Sequence, residues 1–437
     1  MGFEMEVRYG FHGVGQGLFS SGSLELLSRI PSRKFNWVYD CGTDSSQRYL
    51  DSALNDLEND IPTLGVGRPY LDLVTISHFD TDHISGLVKL LGRFDVGDLL
   101  LPYMPLWQRL VIAFHAHRAH SSRLTSFLVN PVAFISAVPE ANVKRILFAT
   151  GGPPLEDPPR GADVPREPKR PPATGEQDEK RRGMGPDFAV VDTEELSDLD
   201  AADDRRLDGE YMKRAARNGT RVAYMRYRGA VVVAGCWEFL PYNDAQLAPM
   251  ASTSFRHQVS LLRDDLLGGV KAVTTRALIA LKALYTAEFD FVGQRENQNL
   301  ISLFLYAGPI SPGVTEIYAR HVTSPHGWSF MLSDKGGVLY TGDGYLNTPA
   351  RFNSMQAFLC SHRVDSLVVL QVMHHGATAN WHAGLAGKIK PEFSVFSSNP
   401  LHRGFRHPHT VVSNDFASYR PLQASKGVAV NVALWMF

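Results

Sequence analysis

The chain has 437 residues, and at roughly 150 residues per domain this length predicts about three domains. Hydrophobic residues make up 44% and charged residues 20% of the chain, a composition typical of a globular protein with a large core. The 44 Lys and Arg residues nearly balance the 45 Asp and Glu residues, and the resulting net charge of −1 argues against nucleic-acid binding through bulk positive charge.

The sequence also bears on the cellular compartment. No apolar run approaches the roughly 18 residues that a membrane helix needs. The first residues, MGFEMEVRYG, carry early acidic side chains and no hydrophobic block, which is not the pattern of a secretory signal. Three cysteines, Cys41, Cys236 and Cys360, are too few for a disulfide framework. We therefore expect a cytoplasmic protein without a membrane partner.

The first hundred residues indicate a layered α/β fold. FNWVYDCGT (35–43) and YLDLVTISHFD (70–80) are continuous apolar runs that end in polar residues, as buried strands do. ISGLVKLLGRF (84–94) then changes to helical spacing. A strand that leads directly into a helix is the βα unit of a layered α/β fold.

The middle of the chain, from about 106 to 294, has a different character. Helical patterns occupy its two ends, and residues 220–240 predict two strands joined by a turn at Arg228 and Gly229. Residues 151–183 are rich in proline and charge and poor in large apolar groups. Such a segment buries too little surface to offset its ordering entropy, so we expect a flexible linker or lid there.

Strand patterns return from about residue 295. They fall at 300–308, 328–334, 336–344, 365–376 and 392–399. The outer segments therefore predict one α/β domain that is interrupted by a large, mostly helical insertion. The three parts are residues 1–105, 106–294 and 295–437.

The strongest chemical pattern is SHFDTDHISG, residues 77–86. His78 and Asp80 are two residues apart at the end of a predicted strand, so their side chains point to the same side. Asp82 and His83 follow where the chain turns into the helix. Charged groups that converge on a buried strand end are costly without a cation, and open α/β sheets place their sites at such ends. The spacing therefore predicts a metal site.

This segment resembles the H-x-[HD]-x-D-H motif of the metallo-β-lactamase fold. Its H-x-D-x-D-H form is similar to that of the soluble metallo-hydrolase domain of bacterial DNA-uptake channel proteins and their free-standing relatives. Further segments resemble the family's motifs and occur in the family's order: GVGQGLF (13–19), WVYDCGT (37–43), NLISLFLYAG (299–308), VLYTGDG (338–344), VMHHGA (372–377) and NPLHRGFRHPH (399–409). The resemblance implies an αββα sandwich with the site along one edge and the insertion over it as a cap.

The resemblance also implies a role for each ligand. His78 and Asp80 would bind a first divalent metal ion, and Asp82 and His83 a second one. Asp343 would bridge the two, since one carboxylate can span ions about 3.5–4 Å apart. The predicted strand before the H-H-G segment would deliver one more ligand. Because neighbouring residues of a strand face opposite sides, we expect His374 to bind directly and His375 to support a ligand or contact substrate.

Other residues would surround the metals. Asp40 is expected to orient a ligand. His407 and His409, with Asn399, would line the opposite rim and contact a phosphate or protonate a leaving group, although a surface turn would also explain the H-P-H stretch. Many relatives have a further histidine before the bridging aspartate; here only His321 and His326 precede it in a suitable order.

The ligand chemistry leads to a functional prediction. Three aspartates beside about three histidines make a harder site than an all-imidazole one, which favours manganese or magnesium while leaving zinc open. We expect hydrolysis by a metal-bound hydroxide that Asp82 or Asp343 orients, most suitably of a phosphodiester in DNA, RNA or a nucleotide. The alternatives are hydrolysis of a lactone, thioester or amide, or a metal-binding component of a multi-protein bacterial system that binds its partner through the insertion.

Overall fold

The structure is a computed structural model, which describes residues 5–27, 33–61, 63, 67–115, 122–151, 188–194, 199, 204–217, 219–244, 251–267, 271–289, 301–310, 317–322, 328–402, 404 and 406–436. These residues form 17 strands: β1 (Met5–Phe11), β2 (Phe19–Leu26), β3 (Arg33–Cys41), β4 (Tyr70–Thr75), β5 (Asp95–Pro102), β6 (Asn142–Ala149), β7 (Phe188–Glu194), β8 (Arg221–Val233), β9 (Trp237–Tyr242), β10 (Phe304–Pro309), β11 (Ile317–Val322), β12 (Trp328–Ser333), β13 (Gly337–Tyr340), β14 (Leu367–Gln371), β15 (Phe393–Ser397), β16 (Pro421–Ala424) and β17 (Val430–Met436).

The same residues form 14 α-helices: α1 (Gln47–Asp60), α2 (Thr81–Ile84), α3 (Leu87–Arg93), α4 (Leu106–His115), α5 (Ser122–Val129), α6 (Pro131–Ser136), α7 (Asp204–Ala215), α8 (Thr253–Leu261), α9 (Arg263–Leu267), α10 (Lys271–Phe289), α11 (Pro349–Leu359), α12 (Ser361–Asp365), α13 (Leu385–Ile389) and α14 (Thr410–Asp415). Two short 3₁₀ helices, Met373–Gly376 and Thr378–Asn380, follow β14. Among these described helices, none has the length and apolar character that crossing a bilayer requires.

The strands form two mixed sheets. In the first sheet the order is β12–β11–β17–β1–β2–β3–β4–β5–β6–β8, antiparallel as far as β3 and parallel beyond it. In the second sheet the order is β8–β9–β10–β13–β14–β15–β16, antiparallel as far as β13 and parallel beyond it. Strand β7 pairs antiparallel with β8. The two sheets therefore share β8.

Strand β8 can belong to both sheets because it bends in its middle. Residues 221–225 pair with β6, whereas residues 231–233 pair with β9. Arg228, between these two stretches, has a φ of 68°. Arg228 and Gly229 are thus a bend within one strand, which corrects the predicted hairpin turn at this position. The chain reverses at residues 234–236 instead.

The two sheets pack face to face around an aromatic core. Trp37 and Tyr39 of β3 face Tyr340 of β13, and all three side chains are buried. The rings of Tyr39 and Tyr340 stack with centroids 4.8 Å apart, and the indole N–H of Trp37 donates to the Tyr340 hydroxyl over 3.1 Å. Val38, between the two β3 aromatics, packs in the cluster on the other face of the sheet. The alternation along β3 therefore separates the inner core from the outer layer.

Helices cover both outer faces. Helix α1 buries Leu50, Ala53, Leu54 and Leu57, which is the spacing of one helical face, against the first sheet together with α3. Helices α11, α12, α13 and α14 pack on the second sheet. The layers are thus helix, sheet, sheet and helix, and the predicted αββα sandwich is confirmed.

The predicted insertion, 106–294, contributes to the sandwich as well as to a helical part. Helices α4, α8, α9 and α10 form their own apolar cluster. Strands β6, β8 and β9 of this part of the chain extend and join the two sheets; β8 and β9 lie where the sequence predicted two strands, whereas β6 was not predicted. The boundaries at 105 and 295 stay a prediction. Residues 152–187, with most of the proline-rich segment, lie outside the described residues.

Candidate metal centre

The candidate ligands follow strands of both sheets. Strand β4 of the first sheet ends at Thr75, and His78 and Asp80 lie in the segment that follows it. Asp80 is the residue before helix α2, whose four residues include Asp82 and His83. In the second sheet, Asp343 follows β13, and the histidine pair follows β14. The ends of these strands meet at one edge of the sandwich, as ligand sites in α/β folds do.

Asp343 lies at the centre of the cluster. Its carboxylate is buried, and each oxygen faces two imidazole nitrogens. Oδ1 lies 3.1 Å from His83 Nε2 and 3.8 Å from His375 Nε2. Oδ2 lies 3.3 Å from His374 Nε2 and 3.8 Å from His78 Nε2. One side chain therefore connects two groups of histidines.

Two further aspartates complete these groups. Asp82 Oδ2 lies 3.1 Å from His375 Nε2 and 3.8 Å from His83 Nε2. Asp80 Oδ2 lies 3.9 Å from His78 Nε2. We call the group around Asp343 Oδ1 the inner ligand set; it consists of Asp82, His83 and His375. The outer ligand set, around Oδ2, consists of His78, Asp80 and His374.

The inner ligand set is the more compact one. With Asp343, its members each offer one ligand atom, and these four atoms lie within 4.8 Å of one another. Among the residues that the structure describes, these four side chains form the group of His and Asp residues that is compact enough to hold one metal ion.

The four imidazoles are held in one tautomer by partners at Nδ1. His83 Nδ1 lies 2.8 Å from Asp40 Oδ2, His375 Nδ1 lies 2.5 Å from the carbonyl of Ser397, and His374 Nδ1 lies 2.8 Å from Asn380 Oδ1. These oxygens accept, so each Nδ1 carries a proton and each Nε2 is directed at the centre, where its lone pair is available when the ring is neutral.

His78 follows the same rule through a hydroxyl. The Ser77 Oγ–H donates to Asp40 Oδ2 over 2.6 Å, and Ser77 Oγ is therefore free to accept from His78 Nδ1, which is 2.9 Å away. The Ser77 backbone N–H donates to the other oxygen of Asp40. Asp40 thus anchors His83 directly and His78 through Ser77, the position that a residue orienting the ligands has to occupy.

The buried histidines and aspartates shift one another's pKa values. Burial, followed by the charge of His83, lowers the pKa of His78 to about 3. Burial acts against the charged forms of Asp343 and His83, but the nearby histidines hold the pKa of Asp343 well below its usual range, and Asp343 and Asp82 raise the pKa of His83 well above its own. The Asp343 carboxylate is therefore ionised and attracts positive charge to the centre.

These residues fit divalent metal ions. The buried Nε2 atoms of His78 and His83 make no hydrogen bond within the described residues. A buried nitrogen without a partner is costly, and a lone pair directed at a cation removes that cost. Imidazole nitrogens and carboxylate oxygens are also the donors that zinc and manganese accept.

The histidine pair differs from the strand geometry expected for it. Strand β14 ends at Gln371, so His374 and His375 lie in a 3₁₀ turn where both have positive φ, 44° and 58°. Because strand alternation does not apply there, both imidazoles face Asp343. The structure places His375 in the inner ligand set and His374 in the outer one. The expectation that only His374 binds directly stays untested, but the geometry offers both nitrogens.

Two glycines explain why the chain can pack so closely behind the ligands. A Cβ on Gly42 would lie 2.5 Å from the backbone of Asp82 and His83, and one on Gly17 would lie 2.9 Å from the Asp82 carbonyl. The neighbouring Leu18 N–H donates to that carbonyl over 3.0 Å. The two early glycine segments therefore support the short helix that carries Asp82 and His83.

The rim residues lie farther from Asp343. The buried His407 ring stacks with His375 at a centroid distance of 6.1 Å, and the His409 ring lies 4.8 Å from His407. Asn399 is buried, and its backbone N–H donates to Gln16 Oε1 over 3.4 Å. The histidines thus form a row that leads outward from the centre.

The histidines expected before Asp343 are not described, and three groups that hold the ligands were not expected. His326 lies outside the described residues, and His321 lies in β11, where its side chain is not described. Sequence reasoning missed Ser77, Asn380 and the Ser397 carbonyl. Ser77 directly precedes the first ligand, but serine next to histidine is too common to indicate a role. Asn380 had no distinguishing pattern.

Comparison with known proteins agrees with the fold. Residues 30–102, well under half of the chain, match the model of the metallo-beta-lactamase superfamily. No curated protein matches the chain. The matched segment carries Asp40 and the first four ligands, whereas Asp343 and the histidine pair lie outside it and are joined to it by the fold. This segment is thus similar to the metallo-beta-lactamase superfamily, and together with the sandwich and the ligand cluster it supports a metal-dependent hydrolase.

Proposed function

We propose that the protein is a phosphodiesterase or nuclease of the H-x-D-x-D-H subgroup that uses two divalent metal ions. The observation that carries the proposal is the placement of Asp343, one buried carboxylate with a separate ligand set at each oxygen. The inner ligand set would hold one ion and the outer ligand set the other, and Asp343 would bridge them. Manganese and zinc are the candidates we favour, with magnesium also compatible.

Two such ions supply Lewis acidity and a water of lowered pKa when they are bound. The chain's residues would do the rest. Asp82, which lies partly open to solvent while Asp343 is buried, can orient the attacking water. Asp40 and Ser77 keep the imidazole lone pairs directed inward, so no ligand has to reorganise during the reaction.

His409 is suited to protonate the leaving group. The backbone N–H of Thr378 donates to its Nδ1 over 3.1 Å, so Nε2 carries the proton of the neutral ring. His407 is suited to a different task. Burial, followed by the charge of His375, lowers its pKa to about 3, which keeps the ring neutral and makes it a hydrogen-bonding group for the substrate.

The substrate class is argued from the ligands. Three aspartates among seven ligand residues make the site harder than an all-imidazole one, so it can accept hard cations, and hard cations bind phosphate oxygens well. A phosphodiester also needs one group that stabilises the attacking oxygen and another that serves the leaving oxygen, which two bridged ions provide. A lactone, thioester or amide remains the alternative that the same scaffold could serve.

A substrate screen tests the proposal. Purified full-length protein is assayed with manganese, zinc or magnesium on a nucleic acid, a cyclic nucleotide, bis(4-nitrophenyl) phosphate, a lactone and a thioester. We expect phosphodiester cleavage that is lost in the double variant Asp82→Ala/His83→Ala, with circular dichroism unchanged. Full activity in that variant would reject a role for the cluster, and turnover of the lactone or thioester alone would reject the phosphodiester assignment.

A further inference from the structure

We infer that Asn380 is a positioning residue that fixes the tautomer and direction of His374 and thereby sets the metal affinity of the outer ligand set. The inference rests on the proposed two-metal function. It concerns a residue between the histidine pair and β15 that has no ligand role itself. Its side chain is fully buried beside the loop that carries Asp343.

The orientation of the Asn380 amide follows from its neighbours. Its Nδ2 lies 2.7 Å from the carbonyl of Asp343 and 3.2 Å from the carbonyl of Gly344. Carbonyl oxygens only accept, so the NH2 group has to face them, and a flipped amide would oppose oxygen to oxygen twice. The Oδ1 atom is therefore directed at His374.

This orientation determines which nitrogen of His374 carries the proton. Asn380 Oδ1 lies 2.8 Å from His374 Nδ1 and can only accept, so Nδ1 is protonated and Nε2 holds the lone pair. The Nε2 atom of His374 lies 3.3 Å from Asp343 Oδ2. The two hydrogen bonds to backbone carbonyls thus fix the amide, and the fixed amide orients His374.

His374 depends on this contact more than the other histidines depend on theirs. It lies in a turn at a φ of 44°, outside any strand, and its side chain is 27% exposed. His83 and His375 are almost fully buried, so packing on every side restricts their rings. Loss of the Asn380 amide would leave the His374 ring free to rotate and to exchange tautomers.

The test measures metal affinity and tautomer. Chelator-treated full-length protein is titrated with manganese and with zinc by calorimetry, and the tautomer of His374 is read from imidazole nitrogen shifts by NMR. The variants are Asn380→Ala, His374→Ala and the two combined. Asn347→Ala is the matched control, because Asn347 donates to the carbonyl of Ala379 in the same short helix without touching His374.

We expect wild type and Asn347→Ala to bind two ions. Asn380→Ala should bind one of them about 10–100-fold more weakly, the range for losing a partner that orients a ligand, and should show a mixed His374 tautomer. In the His374→Ala background the Asn380 substitution should add no further loss.

Three results would overturn the inference. The first is an unchanged metal affinity and an unchanged His374 tautomer in Asn380→Ala. The second is an equal loss of affinity for both ions, and the third is a further loss of affinity in the His374→Ala background. The second and third results would show a general structural role of Asn380. A failure of the proposed function looks different. In that case the wild type itself would not bind two ions or would not cleave phosphodiesters, whatever residue stands at 380.

Discussion

Two clusters of buried charged side chains lie in different parts of the molecule and balance their charges differently. One is the metal-ligand cluster at the edge of the sandwich, centred on Asp343. The other, which we call the arginine cluster, joins helices α4, α7 and α9 and consists of Arg109, Asp208 and Arg263. All members of the arginine cluster are buried, as Asp343 is.

The arginine cluster contains its own cations. Asp208 Oδ2 lies 3.6 Å from Arg109 Nη1 and accepts from the Leu106 N–H over 2.8 Å, and Asp208 Oδ1 lies 3.2 Å from Arg263 Nε. Guanidinium groups stay charged at all physiological pH values. The Asp208 carboxylate therefore has permanent cations beside it without any ligand, which is what a structural element between helices requires.

The metal-ligand cluster surrounds its carboxylates with imidazoles instead. Their Nδ1 protons are all bonded outward, to Asp40, Ser77, Asn380 and the Ser397 carbonyl. Asp343 is surrounded here by four imidazoles, which carry a positive charge only when they are protonated. A buried carboxylate therefore indicates a binding site where its neighbours are titratable, and a structural ion pair where its neighbours are permanently charged.

The largest expected effect lies in the arginine cluster. Replacement of Asp208 by Ala would leave Arg109 and Arg263 buried without their carboxylate, and we expect a loss of about 3–5 kcal/mol in the free energy of unfolding. Urea denaturation measures this change. The metal content per folded chain should stay at the wild-type value. If Asp208→Ala lost its metal before it unfolded, the arginine cluster would not be purely structural, which would contradict the comparison.

The corresponding change in the metal-ligand cluster should have the opposite outcome. Asp343→Asn keeps the shape of the side chain but removes its charge and one acceptor oxygen. We expect phosphodiester cleavage to fall more than about a hundredfold, since changes farther from a metal already cost up to that amount. Circular dichroism should show a folded protein. Wild-type activity in Asp343→Asn would contradict the bridging role.

The same contrast explains what the sequence could predict. His78, Asp80, Asp82 and His83 lie within six residues at a strand end, so local spacing alone indicates a site. The βα unit around them was predictable for the same reason, and the structure has β4 and α3 where the pattern placed a strand and a helix. The arginine cluster had no such pattern. Its members come from three helices separated by long stretches of chain, and only the tertiary fold brings them together.

Other features depend on backbone geometry that residue types do not reveal. The positive φ of His374 and His375 directs both rings at Asp343, although a strand would have separated them. The bend at Arg228 carries one strand through two sheets, although a turn was the simpler interpretation of the Arg-Gly pair. Asn380 acts through a single contact geometry. Spacing rules apply within regular elements, and these residues lie where the elements bend or end.

Removal of the metal should change how the free energy of unfolding of the protein depends on pH, and this change should come from the histidines of the metal-ligand cluster. Among metal-free groups, the pKa values of His83 and His375 are raised above 6.5 and that of His78 is lowered to about 3. Above pH about 6.5 the folded state binds more protons than the unfolded state, because His83 and His375 stay protonated, so the free energy of unfolding falls as the pH rises. Below pH about 6.5, His78 is protonated in the unfolded state but not in the folded state. The free energy of unfolding therefore also falls as the pH drops.

We therefore expect the metal-free protein to be most stable near pH 6.5. With manganese or zinc at a hundred times its dissociation constant, the protein should gain about 2.7 kcal/mol for each ion bound, and the gain should increase with pH because protons compete with the metal for imidazole. Thermal denaturation across pH 5–9, with and without metal, checks both statements. Identical profiles in the two conditions would mean that the histidines hold no metal.

The smallest effect distinguishes the two arginines. Arg263 contacts Asp208 through Nε and Asp204 through Nη2 at 3.5 Å, and Asp204 is 39% exposed. Lysine can keep one of these ion pairs as a point charge, so Arg263→Lys should cost about 1 kcal/mol or less. Arg109 instead donates to the carbonyls of Met104, Leu128 and Val129, which a single ammonium cannot reach together. Arg109→Lys should therefore lower the urea midpoint of unfolding more than Arg263→Lys does. Equal midpoints would show that the positive charge alone, without the shape of the guanidinium group, stabilises the arginine cluster.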